Sequence, residues 1–165
     1  MEYLGKTWIL EKLAFLGIDL TPLTLQIYVR EELIPAPTFP SKGQGARGLY
    51  SSETPAEAYA AYRLIRENRR SHQLVREARR IGRYLENTNY HSLGDIFQDI
   101  EIRKLIHKRP KEVFYAFEWL WLKYQVLPEK ELPVGPAIRG ILIGLAETGD
   151  DYIKALLGRE YKEDV

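Results

Sequence analysis

The sequence predicts a mainly α-helical chain. Two helices joined by a tight turn come first, then a small β-hairpin, then a helical C-terminal half. Three observations predict this. Proline sits at the first position of several apolar-periodic segments, directly after a threonine at Thr21-Pro22 and Thr54-Pro55, where its missing N–H costs nothing. The apolar residues recur at three- and four-residue spacing over most of the chain. One stretch alone, "TFPSKGQGARGLYSS" over 38–52, has the glycine and proline density of a loop or irregular hairpin.

Residues 7–16, "TWILEKLAFL", place Ile9, Leu10, Leu13, Leu16 and Trp8 on one side of a first helix, with Gly17 as its stop. Thr21 is the expected N-cap of a second helix over about 22–33, with Leu25, Val29 and Leu33 as its stripe and Tyr28 at the edge. Pro35 and Pro37 prevent its continuation. After the hairpin, Leu49-Tyr50 reads as a short strand. Thr54 and Pro55 then open a helix that breaks near Arg70-Ser71 and resumes to about residue 86.

The polar turn "NTNYHS" over 87–92 suggests a boundary, giving domains 1–86 and 87–165. The second part reads as helices over about 92–108 (Ser92 as cap), 110–126 and 136–156, with the tail from "ETGDD" breaking away. Gly140 and Gly144 share a face and predict close helix packing there.

Composition bounds the function. The chain has 165 residues, 45% hydrophobic and 28% charged, which suits one ordinary domain or two small ones with a real core. No apolar run approaches the roughly 20 residues of a membrane span, and no basic leader with a cleavage site opens the chain. The sequence has no cysteine, so disulfides, thiolate metal sites and cysteine nucleophiles are excluded. A cytoplasmic setting is expected. The net charge is only +1, but residues 63–83 hold eight Arg against two Glu, a basic stretch fit either for a polyanion or for a solvated helix face.

Helix, tight turn, helix, basic glycine-rich hairpin and helix form the plan of a winged helix-turn-helix. "TLQIYVREELIPAP" resembles the MerR-family signature T-L-R-Y-Y-E-x-x-G-L-I-x-P, with Thr24, Leu25, Tyr28, Leu33, Ile34 and Pro35 or Pro37 at matching positions. "GQGARGLYSSETPAEAYAAYRLIREN" is similar to that family's wing and following helix. The likeness covers residues 5–80. Gln26 stands at the family's Arg, Ile27 at its first Tyr and Glu32 at its Gly, two residues separate Arg47 from Tyr50, and the family's metal-sensing cysteines and long dimerisation helix are not seen. The resemblance implies a transcriptional regulator that binds double-stranded DNA as a homodimer.

The residue types suit that chemistry. A helix fits the major groove and presents its N-terminal residues to base edges. The outward set is Thr21, Thr24, Gln26, Ile27 and Arg30. Gln pairs with adenine edges, Arg with guanine, and an apolar side chain meets a thymine methyl. Thr24 and the Tyr28 hydroxyl suit phosphates, although Tyr28 equally suits a core position. Lys42, Arg47 and Tyr50 belong to the wing, and Arg63 and Arg66 extend a phosphate track. The rival is a protein-interaction or scaffold module that uses the same surface.

In the second half, "VFYAFEWLWLKY" carries rings on most sides. A packed core explains Phe117, Trp119, Trp121 and Tyr124, as do a dimer contact and a pocket for a small-molecule effector. No enzyme is expected: His72, His91 and His107 form no ligand motif, no serine sits in a nucleophile elbow, and no cofactor or metal is called for.

Overall fold

The computed structural model describes residues 3–39, 48–127 and 135–158, and it is mainly helical. Its helices are α1 (Lys6–Phe15), α2 (Pro22–Arg30), α3 (Thr54–Tyr62), α4 (His72–Asn87), α5 (Leu93–Gln98), α6 (Ile100–Lys108), α7 (Pro110–Val126), α8 (Pro136–Thr148) and α9 (Asp150–Leu157). Contacts divide the chain into two units, one of residues 1–72 and 122–127, the other of residues 73–121 and 128–165.

In the first unit, α1 buries Ile9 and Leu13, whereas Trp8 is exposed rather than part of the stripe. Phe15 is 84% exposed. Gly17, at φ 84°, ends the helix in the left-handed conformation that glycine adopts without steric cost, and the Ile18 amide donates back to the Leu13 carbonyl at 2.8 Å. Thr21 caps α2 as its sequence demands: its Oγ1 accepts from the Thr24 amide at 3.1 Å, and Pro22 holds the first helical position.

α2 stops at Arg30, a turn before the expected end at residue 33. Glu32 is the cause. It adopts φ 61°, and the Leu33 amide closes the turn onto the Tyr28 carbonyl at 2.9 Å. A β-carbon at such a φ costs roughly 1 kcal/mol relative to glycine. Glu32→Gly is therefore expected to stabilise the chain by roughly 0.5–1 kcal/mol, measurable as a higher midpoint in chemical denaturation.

Of the expected hairpin, the described residues hold the base. Thr38 and Leu49 exchange backbone hydrogen bonds at 2.8 Å in a single bridge. The strand beyond it, β2 (Tyr50–Ser51), pairs antiparallel with β1 (Tyr3–Leu4), a partner the sequence did not announce. The expected wing tip, with Lys42 and Arg47, lies outside the described residues.

α3 is buried along most of its length, and its alanines let α1 approach. Thr54 is its first helical residue rather than its cap; its hydroxyl lies 3.3 Å from that of Ser51. The helix loosens into a π turn over Arg63–Glu67, closed by Asn68 N–H to the Arg63 carbonyl at 3.2 Å. The Lys123 ammonium is fully buried here and donates to Glu57 at 2.9 Å, with Glu53 at 3.2 Å.

The second unit takes most of α4, although a boundary after residue 86 was expected from the polar turn. The apolar stripe of α4 packs with the C-terminal helices, and Gly82 lies directly against the Trp119 ring. Ser92 caps α5 as expected, but the helix over 92–108 is broken at Asp99, whose extended backbone and carboxylate begin α6 instead. Asp99 also accepts from the hydroxyls of Tyr84 (2.7 Å) and Tyr90 (2.6 Å). Burial alone would raise the Asp99 pKa, but these two donors and the Glu101 amide hold it below the ordinary value. Gly149, at φ 72°, separates α8 from α9. Of the two glycines expected to give close approach, only Gly144 does, beneath the Tyr152 ring; Gly140 faces open space.

Candidate functional site

α2 presents a contiguous outward row. Leu23, Gln26 and Arg30 are exposed and Ile27 is half-buried, and their spacing of three, four and seven residues places them on one face. Thr21 is exposed and Thr24 half-buried at the N-terminal end of this row. The Arg30 side chain is 73% exposed and its guanidinium reaches Glu31 only at 4.0 Å, a surface pair that leaves it available.

Other expected contacts lie elsewhere. Tyr28 is 3% exposed and Tyr50 7%, so their rings belong to the core and not to the outward face. The reason for Tyr28 is helical phase: it follows Leu25 by three positions on the buried side. Arg63 is engaged with the Glu67 carboxylate and with the Tyr59 hydroxyl, so its donors are directed back along its own helix. Arg66 is exposed over the Tyr62 ring, 6.0 Å from its centroid. Phe117 and Trp119 are fully buried, as a packed core requires, whereas Trp121 and Tyr124 are half-buried.

Two grooves flank the row. One, about 430 Å³, runs between α2 and the base of the 38–49 bridge, where Gln26 and Val29 face Pro37 and Phe39. The other, about 340 Å³, lies on the opposite flank and includes Thr21, Thr24, Tyr28, Arg66 and His72. His72 is the first residue of α4, and its ring meets the Tyr28 ring edge-on at 6.4 Å.

No family model, curated protein or solved structure matches the chain.

Two residues of this surface were missed by the sequence reading. Leu23, 65% exposed, stands in the outward row; its spacing from Gln26 and Arg30 was a usable signal. His72 had none, because it reaches the groove only through the turn that joins the π segment to α4. Among the described residues, no helix is long and apolar enough to cross a membrane.

Proposed function

We propose that this chain is a sequence-specific DNA-binding protein, a MerR-like winged helix-turn-helix regulator that acts as a homodimer. The observation that carries the reading is the outward row of α2. A capped helix after a tight turn leaves Gln26 and Arg30 exposed on one face with Leu23 between them and the helix start. In the major groove, Gln26 reads an adenine edge, Arg30 a guanine edge, and Leu23 with Ile27 the methyl of thymine. Arg66 supplies a phosphate contact from beside the row. Two-fold pairing is inferred from the symmetry that operators usually carry.

A site selected from a randomised duplex pool tests the reading. Arg30→Ala is expected to weaken binding to that site about 10-fold, from the ~1–3 kcal/mol carried by a good base contact, with smaller loss on random duplex. Fluorescence anisotropy at two salt concentrations reads both; an unchanged affinity for the selected site would sink the assignment of α2.

A second reading comes from the exposed Phe15, Leu23 and Phe39. Exposed large apolar side chains suit a protein-docking module better than a purely polyanion-binding face. Absence of salt-dependent duplex binding would favour it.

A further inference from the structure

We propose that the groove between α4 and α6 is the face through which two copies of this chain pair about a two-fold axis. The inference deepens the homodimer reading by naming its contact, and it rests on that reading only for the expectation of a pair.

The groove follows from helical phase. Glu77, Arg80, Ile81 and Tyr84 recur at three- and four-residue spacing and form one stripe of α4. Glu101 and Leu105 stand four apart on α6, and Arg109 is the C-cap of that helix. Both stripes belong to the second unit, and the space between them is about 390 Å³. The middle is apolar, with Ile81 buried and Leu105 half-buried. Tyr84 is 40% exposed, and Ile100, next to Glu101, is 63% exposed.

The unspent charges lie at the two ends. The Tyr84 hydroxyl donates to Asp99 at 2.7 Å, so the C-terminal end of the α4 stripe meets the start of α6. Glu101 stands at that end; its side chain is 67% exposed and reaches Lys104 only at 3.9 Å. Arg109 stands eight residues further on, roughly 12 Å along the helix at about 1.5 Å per residue. It is exposed and forms no ion pair among the described residues. Glu77 and Arg80 meet each other at 3.5 Å on the α4 wall, so they leave this polarity unchanged.

The groove is thus acidic at one end, apolar in the middle and basic at the other. Its balanced charge gives a polyanion no net attraction. A two-fold axis across its middle lays Arg109 of one copy over Glu101 of the other, twice, and brings the two apolar middles together. The surface is complementary to itself, which is what an isologous contact requires. Tyr84 and Ile100 leave water in the pair and supply its apolar gain.

The test is the mass of the full chain in analytical ultracentrifugation. The parent is expected to sediment as a dimer. Arg109→Glu sets acid against acid at both ends of the pair, and Glu101→Arg sets base against base. Each variant alone is expected to raise the dimer dissociation constant about 10- to 100-fold. An equimolar mixture of the two variants regains an opposite-charge pair at both ends, so a heterodimer close to parental affinity is expected. Both positions are exposed, and circular dichroism checks that each variant folds. A parent of monomer mass overturns the proposal. A dimer that neither variant weakens, or a loss that mixing does not rescue, also overturns it and leaves a homodimer through another face. If either variant unfolds, hydrogen exchange of the parent decides: slower exchange at high concentration across 77–84 and 100–109 supports the face, and unchanged exchange overturns it. Duplex binding by the parent and its loss in Arg30→Ala are measured separately, so failure of this face leaves the DNA reading to its own test.

Discussion

Lys123→Ala is expected to lower the unfolding free energy by about 3–5 kcal/mol. The Lys123 side chain is fully buried, as is Glu57, and their charged atoms meet at 2.9 Å; Glu53, a fifth exposed, adds a second carboxylate at 3.2 Å. Removing the ammonium leaves the fully buried Glu57 carboxylate without its cation and beside the Glu53 carboxylate. The cost is that of stranding a charge, not of breaking a surface pair, so added salt will recover little of it. Urea denaturation of the single variant and of Lys123→Met with Glu57→Leu separates the two explanations. The double variant removes the two fully buried charges, keeps volume and leaves only the partly exposed Glu53, so it should regain most of the loss. A double variant as unstable as the single one would mean that Lys123 acts mainly through packing of its stem.

Gly82→Ala should destabilise by about 2 kcal/mol, although alanine is the better helix former. A β-carbon at residue 82 would lie 2.5 Å from Trp119 Cε3 and 2.9 Å from Cζ3. Trp119 is fully buried and has nowhere to retreat, so α4 or the indole must shift within a close-packed interior. The gain of roughly 1 kcal/mol in helix propensity only partly offsets this. Gly140→Ala is the matched control. It lies in α8 with nothing within 4 Å of its added methyl, and should stabilise by up to about 1 kcal/mol. Calorimetric melting temperatures moving in opposite directions would bear this out; a rise for both would show that the ring moves away easily.

The two glycines show where the sequence was readable. Gly140 and Gly144 looked alike, four residues apart on one helix face, yet only Gly144 lies under a ring. Gly82 drew no attention, because glycine inside "RRIGRYLEN" announces nothing until Trp119 is placed above it. Lys123 was equally silent: a lysine ending an aromatic run reads as a solvated end, and its partner Glu57 is 66 residues away. In α2 the exposed row was legible from helical phase, and so was the ambiguity of Tyr28. The structure places its ring in the core and its hydroxyl on a groove, a division that spacing alone does not express.

By itself the sequence determined the helical character, the caps at Thr21 and Ser92, the stop at Gly17 and the outward placing of Gln26 and Arg30. Each depends on atoms within about one helical turn, so a few neighbouring residues suffice to specify it. Only the tertiary structure decided that Lys123 is buried, that α4 joins the C-terminal helices, that β2 pairs with β1, and that His72 shares a groove with Tyr28 and Arg66. Those outcomes follow from close packing between segments far apart in the chain, where volume and charge must match a surface that no local pattern encodes.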